Sequence, residues 1–210
     1  REGPYLPPGT HLSHFMRVGD QLFFSRSGDL WVTEDDFQTY RRVKRFGHGR
    51  AGPETIEFQD KLYFTAIVAD RSRPPYLHTR ELWTSDGTEE GTVAVVAPNR
   101  GHVGNLIVID DLLYFTTDST LGLWVSDGST EGTHIVRDFA AIGDDFVTWN
   151  GKLYFAADGG DGLELWESDG TAEGTKLVED IFPGPQGSAP SSLTVVGDRL
   201  YFAADDGVHG

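Results

Sequence analysis

The sequence predicts an all-β fold, a β-propeller built of four-stranded antiparallel blades, and three observations predict it. A Leu-Trp strand followed by an Asp-Gly turn and a Gly-Thr returns about every forty residues, at Leu82-Trp83, Leu123-Trp124 and Leu165-Trp166, with a degenerate copy at Leu30-Trp31. Such spacing marks an array of supersecondary modules. A Leu-Tyr-Phe type strand precedes each copy, itself preceded by a tight-turn pair such as Gly19-Asp20 or Gly197-Asp198. No stretch carries helix caps with a 3.6-residue apolar period. Each unit therefore holds four short strands, A to D, with short A–B and C–D turns and longer, variable B–C and D–A connections.

The elements follow in order. The first blade, 10–46, has strand B at Gln21-Leu22-Phe23-Phe24 and strand C at Asp29-Leu30-Trp31-Val32-Thr33. Here Glu34-Asp35-Asp36-Phe37-Gln38-Thr39-Tyr40 replaces the Asp-Gly and Gly-Thr pair at equal length, so the hairpin is expected to persist with a different turn. The second blade, 54–96, has B at Lys61-Leu62-Tyr63-Phe64 and D at Val93-Ala94-Val95-Val96. The third, 103–139, has A at Leu106-Ile107-Val108-Ile109 and B at Leu112-Leu113-Tyr114-Phe115. The fourth, 143–181, has B at Lys152-Leu153-Tyr154-Phe155 and D at Lys176-Leu177-Val178. A partial fifth, 191–210, offers only A at Leu193-Thr194-Val195-Val196 and B at Arg199-Leu200-Tyr201-Phe202. Residues 1–9 are rich in Pro and Gly and do not read as strands C and D. The ring is therefore expected to be open in this chain, completed by further repeats or by a second copy.

Within the turns, Asp86, Asp127 and Asp169 suit hydrogen bonds to their own backbone, and Gly87, Gly128 and Gly170 suit positive φ. Trp83, Trp124 and Trp166 are expected at equivalent buried positions between blades. Recurrence in each blade argues for upkeep of the fold rather than catalysis. The pattern Glu-Leu-Trp-x-x-Asp-Gly-Thr-x-x-Gly-Thr, at 81–92 and 164–175, resembles the ELWxxDGT repeat of bacterial tandem-array proteins. So does the linker Asp180-Ile181-Phe182-Pro183-Gly184 leading to Ser191-Ser192-Leu193. The resemblance covers nearly all of the chain after Pro8. It implies a propeller-like array and an exported setting, extracellular or in the cell envelope. It implies no activity.

Composition narrows the function classes. The 210 residues include no Cys, which excludes disulfides, thiolate metal sites and Cys nucleophiles. No apolar run approaches the ~20 residues of a membrane span. No signal peptide is visible, and the chain begins at Arg1, so it reads as a mature protein or an excerpt. A formal net charge of -16 repels phosphate backbones and anionic membranes, so neither nucleic acid nor membrane insertion is expected.

The site is sought where the repeats differ. Blade two has the longest B–C connection, 70–80, holding Arg71, Arg73, Tyr76 and His78. The D–A connections on either side hold His48 with Arg50 and Arg100 with His102. These eight residues are the expected ligand-binding set. Arg pairs bidentately with carboxylate, sulfate or phosphate, and Tyr76 beside two prolines suits stacking on a sugar or peptide. The bland alternative is loop arginines paired with local acids. His48, His78 and His102 follow no metal-ligand spacing rule, and no metal site or catalytic residue is assigned. No cofactor is expected, with Ca²⁺ at the Asp158-Gly159-Gly160-Asp161-Gly162 and Asp205-Asp206-Gly207 loops as a minor alternative. No phosphate loop, His-Glu-x-x-His or Gly-x-Ser-x-Gly occurs. The leading expectation is a non-enzymatic binding module for an anionic or carbohydrate ligand, protein or glycan. Two alternatives stay open: a polysaccharide hydrolase or lyase with its chemistry on the loop face, and a structural spacer.

Overall fold

The computed structural model describes residues 11–35, 37–47, 49–70, 77–96, 102–119 and 121–209, with Asp70 and Leu77 described by backbone alone. Eighteen strands and no helix occur among them. Blade one comprises β1 (Leu12–Val18), β2 (Gln21–Arg26), β3 (Asp29–Thr33) and β4 (Arg41–Lys44). Blade two comprises β5 (Arg50–Phe58), β6 (Lys61–Asp70), β7 (Leu77–Ser85) and β8 (Val93–Val96). Blade three comprises β9 (Val103–Ile109), β10 (Leu112–Thr117), β11 (Gly122–Ser126) and β12 (His134–Asp138). Blade four comprises β13 (Ala141–Trp149), β14 (Lys152–Asp158), β15 (Leu163–Ser168) and β16 (Lys176–Glu179). The fifth sheet pairs β17 (Ser191–Val196) with β18 (Arg199–Ala203). Each four-stranded sheet keeps sequence order in space, the meander of a propeller blade.

Burial follows position in the blade. The middle strands β10 and β14 are buried on both faces, as strands covered on two sides are, whereas β16 at a sheet edge is exposed throughout. One bulge recurs: the third and fourth strands shift register between Leu and Trp at Leu30/Trp31, Leu82/Trp83, Leu123/Trp124 and Leu165/Trp166. A bulge adds local twist to the strand that carries it.

The C–D hairpins share one bond set. In blade two Ser85 Oγ meets Thr92 Oγ1 at 2.7 Å and accepts the Gly87 N–H. Asp86 Oδ1 accepts the N–H and hydroxyl of Thr88. Blade four repeats each bond with Ser168, Thr175, Gly170, Asp169 and Thr171. Blade one keeps its hairpin with other residues, as expected: Asp35 accepts the N–H and hydroxyl of Thr39, and Thr33 Oγ1 donates to the Thr39 carbonyl.

The chain forms two compact units, one holding blades one and two and reaching Leu106, the other beginning at Ile107. In the first, Phe23, Leu30, Val32, Leu62 and Phe64 form the core, with Phe46 and Trp83 packed against it. In the second, Tyr114, Leu123, Leu153, Phe155 and Trp166 do so with Phe139. Within each core, a Phe just past the fourth strand of one blade packs on the next blade. Phe46, just past β4, lies edge-on to Phe64 at 6.0 Å and Trp83 at 5.2 Å. Phe139, just past β12, lies edge-on to Phe155 at 5.6 Å and Trp166 at 5.1 Å. Such edge-to-face pairs add to the burial energy.

Four of the five tryptophans, those of the Leu-Trp strands, share one register position, opposite Phe24, Phe64, Phe115 and Phe155. Their burial is not equal. Trp31 and Trp166 are buried, while Trp83 and Trp124 are half-buried. The register expectation holds and the burial expectation is corrected for those two. Register is set by the strand, whereas cover varies from blade to blade: Trp83 stays half-buried with Phe46 edge-on at 5.2 Å. Trp166 has Phe139 on one side and the Arg137 guanidinium 4.4 Å from its ring. Trp124 stacks on Phe115 of its own blade, at 5.9 Å, and donates from Nε1 to Thr117 Oγ1 at 3.1 Å.

Candidate functional site

One cross-strand row of blade two carries basic residues where blade four carries none. Arg50 on β5 pairs with Ile67 on β6, Ile67 with Arg80 on β7, and Arg80 with His102 in a parallel bridge. Laterally paired residues place their side chains on one face of a sheet. His78 lies two residues from Arg80 on the same strand and so shares that face, opposite Ala69. In blade four the equivalent row reads Ala141, Asp158, Leu163, Gly187. Two Arg and one His thus replace three neutral residues on an otherwise repeated scaffold.

Arg50, His78 and His102 are exposed, and the Arg80 side chain keeps 33% of its surface. Arg80 is weakly neutralised. Its Nη1 lies 3.5 Å from Glu54 Oε1, and its buried Nε has no hydrogen-bond partner among the described residues. Glu54 divides its charge, since its other oxygen accepts the Leu106 N–H at 3.4 Å. Asp145 of blade four makes the same kind of link, to Leu193 N–H at 2.8 Å.

The expected site is thus partly described. Arg50, His78 and His102 come together around one row. His48, Arg71, Arg73, Tyr76 and Arg100 lie outside the described residues. The segment 70–80 is not a loop throughout. β6 and β7 pair as far as Asp70 and Leu77, which puts His78 and Arg80 on a strand. Long antiparallel hairpins extend wherever side chains tolerate the ladder, and Thr79, Ala69 and Val68 do.

Sequence reasoning missed Arg80 and a signal that points to it. Residues 1–106 carry 13 Lys and Arg against 14 Asp and Glu, a net of -1; residues 107–210 carry 4 against 19, a net of -15. The acidity of the chain resides almost wholly in its second half. Thirteen of the 17 Lys and Arg fall in the first half, so a row rich in Arg is to be sought there and not in the second half.

Other polar clusters serve the fold. Glu164 is 3% exposed and accepts from the N–H groups of Ile181, Phe182 and Ser188 and from the Ser188 hydroxyl, clamping the linker after β16. Glu167 accepts Lys152 Nζ at 2.7 Å and the Tyr154 hydroxyl at 2.9 Å. Burial raises the Glu167 pKa, but these bonds and the charges of Lys152 and Lys176 outweigh it and leave the group below its usual value. Burial and the same carboxylate push the Tyr154 hydroxyl up to about 12. A pocket of about 210 Å³ at the β3–β4 hairpin is lined by Thr33, Glu34, Asp35, Tyr40 and Arg41. Its Asp35 is held below the usual carboxylate range by the Thr39 N–H and hydroxyl that close the hairpin.

The Asp-Gly loops are occupied by their own backbone. Asp158 Oδ1 accepts the N–H groups of Gly160 and Gly162, and Asp206 accepts those of Val208 and His209. No group of three or more His, Asp or Glu side chains is disposed to hold a metal among the described residues.

No family model matches the chain, and no curated protein does. Among solved structures, a family 117 glycoside hydrolase of Zobellia galactanivorans aligns over 85% of this chain and 72% of its own, at 8% identity and a TM-score of 0.36. A thermostable family-43 glycoside hydrolase aligns over 91% of this chain and 82% of its own, at 11% identity and a TM-score of 0.38. A puromycin hydrolase aligns over 95% of this chain and 44% of its own, at 15% identity and a TM-score of 0.42.

Proposed function

We propose that this chain is a non-enzymatic binding module whose blade-two end takes an anionic ligand. The row of Arg50, Arg80 and His102, with His78 beside it, carries the reading: it is cationic, exposed and absent from the equivalent row of blade four. Guanidinium groups on a rigid sheet suit carboxylate or sulfate, because the fork geometry is pre-organised. Both glycan and acidic-peptide ligands fit that chemistry. The resemblance of the repeats to ELWxxDGT arrays supports placing the module in an exported bacterial protein.

The test is binding to a sulfated or carboxylated glycan at rising salt. Saturable binding that weakens with ionic strength is expected. Arg50→Ala and Arg80→Ala should each weaken it. Arg199→Ala, at an exposed position on β18, should not. Absence of saturable binding to any anion would leave the chain as a spacer.

A further inference from the structure

Resting on the anionic-ligand reading, we infer that the row takes a linear anionic polysaccharide laid across the strands, with a charged sugar alternating with an uncharged one. The argument is one of spacing. Arg50 and Arg80 stand two strands apart, about 10 Å, with Ile67 between them. That separation is close to the length of two linked pyranose rings. A polymer with one carboxylate or sulfate per disaccharide therefore meets Arg50 and Arg80 with successive charges. The uncharged ring between them falls over Ile67, a half-buried aliphatic side chain suited to the C–H face of a sugar. His102, one strand beyond Arg80, extends the row in the same direction.

An acidic peptide fits less well. Carboxylates on one side of an extended peptide recur about every 7 Å, out of step with the arginines. A single small anion would use Arg80 alone and leave Arg50 without a role. The electrostatic setting also favours a polymer that crosses here and does not wrap the chain, since residues 107–210 carry a net of -15.

The experiment uses hyaluronan oligomers, in which glucuronate alternates with an uncharged sugar, titrated against the whole chain by calorimetry at low salt. Inorganic sulfate and poly-glutamate serve as the single anion and the peptide polyanion. The hexasaccharide is expected to bind at least about tenfold more tightly than the disaccharide, because the second contact is intramolecular. Arg50→Glu, at an exposed site, should abolish the advantage of length while leaving the near-ultraviolet circular dichroism of the tryptophans unchanged. Ile67→Glu should do the same and Ile67→Val should not. Equal affinity for disaccharide, hexasaccharide and sulfate would overturn the polymer inference and leave the anion site standing. Tighter binding of poly-glutamate would overturn the glycan in favour of a peptide. No binding of any probe would overturn both readings.

Discussion

A Cβ added at Gly174 would stand 2.0 Å from Asp169 Oδ1, and Gly132 stands in the same relation to Asp127. At Gly91 the corresponding distance to the Asp86 carboxylate is 2.2 Å. The glycine of the closing Gly-Thr is therefore dictated by the carboxylate five residues earlier, which Thr171 holds in place in blade four. Gly174→Ala should cost about 1–3 kcal/mol, since turn or carboxylate must shift. Asp169→Ala should cost about 1 kcal/mol through its lost hydrogen bonds. The double variant should cost less than the sum, with a coupling of about 0.5–3 kcal/mol in urea titrations. Strict additivity would show that the two do not compete for one space.

The acid limb of stability should report the same carboxylates. Asp86 is held below its usual 3.8 chiefly by the Thr88 N–H, and Asp169 chiefly by the Thr171 hydroxyl. A carboxylate whose folded pKa is depressed contributes stability above its unfolded value and loses it as pH falls through the folded value. Urea midpoints should therefore hold to about pH 5 and fall below about pH 4. Asp86→Asn with Asp169→Asn should flatten that fall. Glu81 acts with the opposite sign, because burial raises it, so Glu81→Gln should not flatten the acid limb. Parallel pH profiles for the chain and its double Asn variant would count against these turns as acid-sensitive elements.

The blades were legible because each hairpin repeats a local chemistry: Asp for the turn, Gly for φ near +89° at Gly87 and Gly170, Thr for the closing bond. What the repeat did not carry was partnership. Phe46 and Phe139 lie at the ends of fourth strands and look alike in role only once each is seen against the Trp of the following blade. Trp83 and Trp124 carry the motif yet remain half-buried, Trp83 even with Phe46 edge-on at 5.2 Å, so the motif by itself does not set burial. The candidate site was legible as a cluster of cations, but its geometry was not. Arg80 is not marked by spacing along the chain, because the register linking Arg50, Ile67, Arg80 and His102 belongs to strand pairing. The turn-like residues of 70–80 suggested a loop where the hairpin continues.

Glu164 should behave as a latch on the linker after β16. Its carboxylate is buried and accepts three backbone N–H groups and one hydroxyl between Ile181 and Ser188. Glu164→Gln keeps the shape but replaces one acceptor oxygen with a donor facing donors. The expected cost is about 1.5–3 kcal/mol, the range for hydrogen bonds to a charged group. Hydrogen exchange at the amides of Ile181, Phe182 and Ser188 should quicken selectively, while that of Phe155 in β14 should not. Unchanged protection at those three amides would show that the linker is held by other means.

The tryptophans should separate by cover and not by motif. Trp166 is 6% exposed, packed edge-on against Phe139 and beneath Arg137, so Trp166→Ala removes a filled volume that the surrounding strands cannot close. A cost of about 3–5 kcal/mol is expected. Trp124 occupies the same register position but is half-buried and, among the described residues, stacks on Phe115 alone, so Trp124→Ala should cost clearly less. Phe139→Ala tests the cause directly, because it uncovers Trp166 without touching the hairpin. It should destabilise by about 3 kcal/mol or more and shift the Trp166 fluorescence to longer wavelength as water reaches the ring. The corresponding change at Phe46 should act on Trp83 in the same way, given the 5.2 Å edge contact there. Equal losses for Trp124→Ala and Trp166→Ala would mean that the shared register, and not the difference in cover, sets what each ring contributes.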